Sequence, residues 1–160
     1  MIRAMKVGVV ADTHGLLRPR VTELLAGCDA ILHAGDVGTP EVLEQLRLVA
    51  PVTAVRGNVD TAGALARLPD RVSGVLGGDD GSSGVRYRMV HRGDDVEEGW
   101  SDGHGLVVFG HSHRPEIAWR GSCLLLNPGA CGPRRFRLPL TLALLEVRDG
   151  RVVPELRAVE

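Results

Sequence analysis

The sequence predicts an α/β fold in which two packed, mixed β-sheets are flanked by helices. In its first 60 residues, apolar β-branched runs alternate with segments that carry apolar residues at helical spacing. This alternation is typical of parallel βαβ units. The rest of the chain contains seven further strand-like runs, most of them separated by short links with glycine or charged residues. One domain over residues 1–160 is the simplest architecture, because the sequence shows no linker and no internal repeat.

Three strands and two helices are predicted in the first half of the chain. Pro19 suits the first turn of the first helix, because its fixed φ fits a helix and its missing N–H is not needed there. Thr39 followed by Pro40 suits the start of the second helix, since Thr is a favoured N-cap residue. The predicted order is strand Met5–Val10, helix 18–26, strand Ala30–His33, helix 41–48 and strand 52–55.

The second half of the chain is predicted to be almost entirely strands. The glycine-rich segment 77–84 is predicted to be a flexible hairpin loop, and Asp149-Gly150 is a tight-turn signal between the last two strands. The predicted strands cover residues 72–76, 85–90, 106–109, 116–119, 123–126, 140–147 and 151–156.

Composition excludes several classes of protein. A chain of 160 residues with 44% hydrophobic residues can bury one real core. The net charge of −1 gives no electrostatic case for long nucleic acid or acidic lipid. No apolar run approaches a membrane span, and the start lacks a signal-peptide pattern, so a cytoplasmic protein is the default expectation. The three cysteines, Cys28, Cys123 and Cys131, are predicted to be small buried hydrophobes; Cys131 is the one that could lie near a site.

Seven oxygen- or imidazole-bearing residues follow predicted strands. Open α/β sheets place their binding crevice at the carboxyl ends of the strands, so these side chains are predicted to converge there. Two aspartates, four histidines and one asparagine suit borderline transition metals better than other common ligands. The residues are Asp12, His14, Asp36, Asn58, His91, His111 and His113. The set indicates a hydrolase with two metal ions.

Spacing supports a shared centre. Asp12 and His14 are two residues apart, as are His111 and His113, so each pair can converge on one ion at a strand end. The two carboxylate oxygens of Asp36 allow it to bridge two ions. Ions about 3.5–4 Å apart can hold a bridging hydroxide and stabilise in-line attack on phosphorus. No GxSxG elbow is present, so a serine-nucleophile mechanism has no support.

The order of these motifs resembles the calcineurin-like metallophosphoesterase superfamily, and within it the small single-domain bacterial and archaeal phosphodiesterases. The resemblance runs from residue 5 to about residue 135 and includes segments 12–15, 33–37, 56–60, 110–113 and 127–130 together with His91. It implies a four-layer α/β/β/α sandwich and a phosphodiesterase that hydrolyses small phosphodiesters, nucleotide-derived ones among the candidates. It implies two divalent ions, with manganese expected and iron, nickel, cobalt or zinc as alternatives.

The resemblance also implies a role for each ligand. One ion would be held by Asp12, His14, Asp36 and His113, and the other by Asp36, Asn58, His91 and His111. Among them, Asp36, Asn58 and His91 would be catalytic; Arg92 is predicted to join them because it directly follows His91, not because of the resemblance.

Two departures from the family pattern matter. Val59 stands where relatives with a clear general acid carry His, so protonation of the leaving group from that position is in doubt. Arg92 follows His91 where the family often has Gly; a phosphate contact and a solvated loop charge are equally open for it.

Other interpretations of the chain are kept open. The same fold serves as a protein-interaction scaffold in a retromer subunit, which makes a non-catalytic scaffold the alternative function. A nuclease for long polymers is disfavoured by the neutral charge. An exposed edge strand could form a homodimer.

Several further polar positions receive non-catalytic predictions. His33 is expected to support the site or pack, and His104 to lie in a surface loop. Asp60 is expected to cap a helix or accept a bond from Arg56, and the basic cluster around Arg135 is expected to be an exposed loop.

Overall fold

The computed structural model describes residues 3–79 and 83–160, and within them ten strands form two five-stranded sheets. The first sheet contains β1 (Met5–Val10), β2 (Ala30–His33), β3 (Val52–Ala54), β9 (Thr141–Arg148) and β10 (Arg151–Ala158). The second contains β4 (Arg71–Leu76), β5 (Val85–Arg92), β6 (Leu106–Gly110), β7 (Glu116–Arg120) and β8 (Cys123–Asn127). All ten predicted strands are present, and their ends differ from the predicted ones by at most two residues.

Two short α-helices connect the first three strands. They are α1 (Pro19–Leu25) and α2 (Pro40–Arg47), and each begins with the proline expected at its first position. Thr39 occupies the N-cap position of α2 with an extended backbone, but its hydroxyl makes no capping hydrogen bond. Two 3₁₀ helices follow, at Gly63–Arg67 and Gly93–Asp95.

Both sheets are mixed, as predicted. In the first sheet the order is β10-β9-β1-β2-β3, with β1, β2 and β3 parallel and the last two strands of the chain added antiparallel. In the second sheet the order is β4-β5-β6-β8-β7, with a parallel centre and antiparallel strands at both edges. The predicted loop 77–84 lies partly outside the described residues; β4 and β5 pair antiparallel on either side of it.

The main core lies between the two sheets. Period-two alternation places Val7 and Val9 of β1 in this layer, against Met89 and Leu106 of the second sheet. The opposite face of the first sheet packs on α1 and α2 through a second apolar cluster. Gly8 allows the close approach of α1, because a Cβ atom there would lie 2.3 Å from Leu25 Cδ2.

The outer face of the second sheet has a thinner cover than the family resemblance implies. Among the described residues, no α-helix packs on it. A smaller cluster of Trp100 with Val90, Val107 and Cys123 covers this face instead. The fourth layer of the sandwich therefore consists of a 3₁₀ helix and turns.

The topology brings the predicted ligands to one edge of the molecule. The parallel strands β1, β2 and β3 of one sheet and β5 and β6 of the other end at the segments that carry those ligands. No helix in the described part of the chain has the length and apolar character needed to cross a membrane.

Candidate metal centre

The backbone at this edge is strained at the predicted ligands. Five of them have positive φ: Asp12 at 56°, His14 at 45°, Asp36 at 56°, His111 at 73° and His113 at 62°. Left-handed backbone is unfavourable for residues with a Cβ, by about 1–3 kcal/mol each, and it concentrates at functional sites. Only two other described residues besides glycine share this conformation. The fold therefore places most of its local strain at these side chains.

The glycines before the ligands act in two ways. Gly35 has the positive φ expected for it, at 99°. Gly57 and Gly110 do not have a positive φ. Gly57 is needed for space, because a Cβ there would lie 2.1 Å from the Asp36 nitrogen and 2.2 Å from its Oδ1 atom. It lets the loop after β3 rest directly on the loop after β2.

The first group of potential ligands contains Asp12, His14 and His113, with ligand atoms within 4.8 Å of one another. The Asp12 Oδ1 atom lies 3.9 Å from His14 Nε2 and 3.6 Å from His113 Nε2. The two imidazole centroids are 5.3 Å apart. The other carboxylate oxygen of Asp12 accepts a hydrogen bond from the His111 amide at 3.1 Å, which fixes the carboxylate plane.

The second group contains Asp36, His91 and His111, again with ligand atoms within 4.8 Å of one another. The imidazoles of His91 and His111 meet edge to face with centroids 5.2 Å apart. Asp36 Oδ2 lies 3.2 Å from His91 Nε2 and 3.6 Å from His14 Nε2, so one carboxylate oxygen faces both groups. This is the geometry expected of a bridging ligand.

An irregularity in the second sheet helps to aim His91. The pairing of β5 with β6 shifts register between Met89 and Arg92, directly around this histidine. Such bulges re-aim side chains and are frequent beside active sites. His91 Nδ1 lies 2.7 Å from the Ala34 carbonyl oxygen, so it donates there and leaves Nε2 facing the site, 3.2 Å from Asp36 Oδ2. Burial opposes the charged form of the ring, but the contact with Asp36 raises the pKa of His91.

The donor set fits divalent cations. Four buried polar atoms at this site have no hydrogen-bond partner: Asp12 Oδ1, His14 Nε2, His91 Nε2 and His113 Nδ1. Buried polar atoms of this kind are costly unless they are paired. A carboxylate oxygen surrounded by imidazole nitrogens is the arrangement that transition-metal ions satisfy. The site is therefore a candidate centre for two ions that share Asp36.

The electrostatics agree with that fit. Burial, with the nearby charge of Asp36, raises the pKa of Asp12 to about 7. Burial opposes ionisation of Asp36 as well, but the His91 imidazole helps to hold its pKa at about 2. Burial lowers the pKa of His113 to about 4. The imidazole is thus held neutral, the form in which it binds metals, and a cation would favour the charged form of Asp12.

His33 supports the site from below, as the sequence predicts. It is fully buried, and its Nδ1 accepts a hydrogen bond from the Gly35 amide at 3.1 Å. Its Nε2 then carries the proton and donates to the Thr13 hydroxyl at 3.0 Å, which in turn donates to the Val37 carbonyl oxygen at 2.8 Å. Burial lowers the pKa of His33 to about 4. This chain of hydrogen bonds joins the Asp12 and Asp36 loops.

Asp60 has a role at the site that sequence reasoning missed. It is fully buried and makes neither the helix cap nor the contact with Arg56 that were expected. Its carboxylate instead accepts hydrogen bonds from the amides of Val37 at 3.2 Å, Gly38 at 3.0 Å and Gly57 at 2.8 Å. It therefore ties the loop that carries Asp36 to the loop that carries Asn58. Its position two residues after Asn58 was the signal in the sequence that could have placed Asp60 at the site. The role itself could not be predicted from that position, because two of the three amides that Asp60 binds belong to a different loop.

Asn127 performs a similar task for the last ligand loop. Its side-chain amide donates to the Gly110 carbonyl at 3.2 Å and to the Ser112 hydroxyl at 3.1 Å. Its Oδ1 accepts from the Gly129 amide at 2.9 Å. Ser112 thus helps to hold the segment between His111 and His113.

The remaining predicted site residues lie at a cleft beside the second group. Asn58, His91 and Arg92 all line it. Asn58 is exposed, and Arg92 has a half-exposed side chain with its nearest carboxylate, Asp94, 3.8 Å away. Val59 is 46% exposed, and its amide donates to Asp36 Oδ1 at 3.0 Å.

Two residues outside the ligand set, His104 and Cys131, can also be compared with their predictions. His104 is largely buried instead of lying in a surface loop, and its Nδ1 contacts the Asp102 carbonyl oxygen at 2.9 Å. It precedes β6, and therefore lies at the opposite end of the strand from His111. Cys131 is buried beside the Ala11 carbonyl, and burial raises its pKa to about 12, which disfavours a reactive thiolate.

Comparison with known proteins agrees with this geometry. The calcineurin-like phosphoesterase superfamily domain matches residues 5–150. The chain is 35% identical to a protein of Methanocaldococcus jannaschii named "Probable metallophosphoesterase", over 91% of this chain and 77% of that one.

Two solved structures share the fold at lower identity. One described as a novel archaeal phosphodiesterase aligns with a TM-score of 0.75 and 22% identity, over 96% of this chain and 100% of that one. Wild-type Vps29 of Entamoeba histolytica, complexed with Zn²⁺, aligns with a TM-score of 0.70 and 23% identity, over 98% of this chain and 100% of that one. With strands, strained ligand positions and family match in agreement, the chain belongs to the calcineurin-like phosphoesterase superfamily.

Proposed function

We propose that the protein is a dinuclear-metal-dependent phosphodiesterase that acts on small phosphodiesters. The observation that carries the proposal is the position of Asp36 Oδ2, 3.2 Å from one histidine group and 3.6 Å from the other, in a set of buried atoms without partners. The fold likeness to an archaeal phosphodiesterase supports the choice of diesters as substrates.

The residues of the site would form two sets of ligands, one for each ion. Asp12, His14 and His113 would hold one, His91, His111 and Asn58 would hold the other, and Asp36 would be shared. When bound, two such ions supply Lewis acidity and an activated water. The protein itself orients the imidazoles, favours the neutral form of His14, His111 and His113 by burial, and fixes the Asp36 carboxylate with the amide of Val59.

Arg92 is proposed to bind a non-bridging phosphoryl oxygen. It lines the same cleft as His91 and Asn58, and its contact with Asp94 is loose at 3.8 Å, so its guanidinium is free to move to an anion. We expect Arg92→Ala to lower kcat/KM roughly tenfold, as for loss of one charge-assisted hydrogen bond. Arg92→Lys should recover only part of this loss, because an ammonium lacks the planar fork.

Metal content separates this role from a structural one. It should be unchanged in Arg92→Ala, and Arg86→Ala, an exposed arginine of the same strand, should retain wild-type kcat/KM. Full activity of Arg92→Ala on every ester that the wild type hydrolyses would assign Arg92 to the solvated surface.

Because Val59 cannot donate a proton, a second property is expected: kcat/KM should depend strongly on the pKa of the leaving group. No side-chain proton is available at this position, so a poor alkoxide would have to leave unprotonated. General acid catalysis typically contributes about 10²–10⁴-fold. For aryl diesters of rising leaving-group pKa, we expect log kcat/KM to fall steeply. Val59→His should flatten that slope, and Val59→Ala is the matched control; equal slopes in all three proteins would contradict this view.

The proposed function is tested with metal-stripped protein and chromogenic esters. After reconstitution with Mn²⁺, Fe²⁺, Ni²⁺, Co²⁺ or Zn²⁺ in turn, the protein should hydrolyse bis(4-nitrophenyl) phosphate faster than alkyl monoesters. Fast hydrolysis of alkyl monoesters with inert activated diesters would overturn the choice of diesters.

A scaffold function is the second candidate, favoured by the fold likeness to Vps29. Its expected signature is metal binding without turnover of any phosphate ester. Turnover that disappears on replacement of Asp36 would decide against the scaffold as the main function.

A further inference from the structure

The cleft beside the candidate centre is much larger than a phosphate group requires. Its volume is about 590 Å³, and it extends from Asn58, His91 and Arg92 to Arg56, Asp70 and Arg71. Clefts of this size accommodate small organic ligands. One end of the cleft thus faces the proposed site of phosphate chemistry, and the other is free to hold a substituent of the ester.

The lining is polar and carries both signs of charge. Three arginines and three aspartates line the cleft, but the carboxylate of Asp60 is fully buried and accepts three backbone amides. Val90 is the apolar side chain among the lining residues, and the His91 imidazole is only 3% exposed. An apolar substituent would gain little from such walls. A nucleobase would find no exposed ring for stacking, and a second phosphate would face the carboxylates of Asp70 and Asp95 beside the guanidinium groups.

Two of the three lining arginines are held in ion pairs. Arg56 donates to Asp70 Oδ1 from Nε at 2.9 Å and from a terminal nitrogen at 2.6 Å. Arg71 pairs with Glu97, and its guanidinium lies 5.3 Å from the centroid of the Trp100 ring. Of these two pairs, the Arg56–Asp70 pair has both members in the lining and so presents donors and an acceptor side by side in the cleft. A hydroxyl group, which both donates and accepts, is the complement of such a pair.

We propose that this cleft binds a neutral, hydroxyl-rich substituent of the phosphodiester, of the glycerol or sugar class. The proposal rests on the proposed function, since the substituent is placed by attachment to a phosphate at the metal centre. Arg56 and Asp70 determine specificity for the substituent. Thr61, which also lines the cleft, adds a hydroxyl partner.

The test uses diesters that share a 4-nitrophenyl leaving group and differ in the other substituent. Methyl, phenyl, glyceryl and thymidine-5′ esters are compared with the reconstituted enzyme, so that leaving-group chemistry is constant. We expect kcat/KM for the glyceryl ester to exceed that for the methyl ester roughly tenfold, mainly through KM. The thymidine ester should gain less than the glyceryl ester, because its deoxyribose carries a single free hydroxyl and its base finds no exposed ring to stack on.

Variants assign the preference to the cleft. In Asp70→Ala, the ratio of glyceryl to methyl kcat/KM should fall towards one. Asp29→Ala is the matched control, because Asp29 also pairs with an exposed arginine, Arg3 at 2.8 Å, but does not line the cleft. It should retain the wild-type ratio. An unchanged ratio in Asp70→Ala would overturn the assignment.

Failure of the inference differs from failure of the proposed function. If the wild type hydrolyses bis(4-nitrophenyl) phosphate but treats glyceryl and methyl esters alike, or prefers the thymidine ester, the inference is overturned and the phosphodiesterase stands. If no ester is hydrolysed with any of the metals, both are overturned.

Discussion

Replacing Asp36 by Asn should lower kcat for phosphodiester hydrolysis by at least about 10³-fold, because it removes the charge that two ions are proposed to share. Asp36 Oδ2 faces His91 at 3.2 Å and His14 at 3.6 Å, so one substitution affects both groups. Asn tolerates left-handed backbone, and the φ of 56° at this position should therefore persist. The measurements are steady-state kinetics and metal content, and both ions should bind more weakly.

A matched control exists for this substitution. Asp149, in the turn between β9 and β10, also has a left-handed φ, of 50°. Asp149→Asn makes the same chemical change at the same backbone conformation away from the site, and it should leave activity and metal content unchanged. Wild-type activity in Asp36→Asn would remove Asp36 from the centre.

Asp60→Ala should have the largest effect on stability. It leaves three amides of the site loops without their acceptor, the buried ones of Val37 and Gly57 and the partly buried one of Gly38. An unsatisfied buried donor costs about 1–3 kcal/mol, so a total loss of about 3 kcal/mol or more is expected. For a domain of this size that corresponds to a fall in Tm of roughly 6–12 °C. Metal affinity should fall as well, because these amides belong to the loops of Asp36 and Asn58.

Thermal unfolding in the presence of chelator separates stability from metal binding. Glu44→Ala, which removes an exposed carboxylate from α2, serves as the control and should change stability by less than about 0.5 kcal/mol. If Asp60→Ala unfolds at the temperature of Glu44→Ala and binds metal like the wild type, the hydrogen bonds that Asp60 accepts from the two loops contribute nothing measurable to stability or metal affinity.

Local sequence pattern was sufficient for the strands. Apolar β-branched runs such as Met5–Val10 form strands because their alternate residues enter two different cores, and glycine and charged links end them. The convergence of the predicted ligands followed from one topological rule, that parallel strands meet at one edge with their carboxyl ends; their division into two sets came from the family resemblance. Hence Asp12 and His111, 99 positions apart, could be placed together from the amino-acid sequence alone.

What the sequence did not predict depends on tertiary contacts. Two of the amides that Asp60 binds belong to another loop, and nothing local distinguishes this residue from a helix-capping aspartate. His104 is buried through packing that a Gly-rich flanking sequence does not indicate. The thin cover of the second sheet follows from a turn that folds Trp100 onto β5 and β6 in place of a helix.

The most direct test of a dinuclear centre is the anomalous scattering of crystals grown with Mn²⁺. Two peaks are expected about 3.5–4 Å apart, on either side of the Asp36 carboxylate, one against His14 and His113 and the other against His91 and His111. A single peak, peaks elsewhere, or no peak at saturating Mn²⁺ would contradict a dinuclear centre bridged by Asp36.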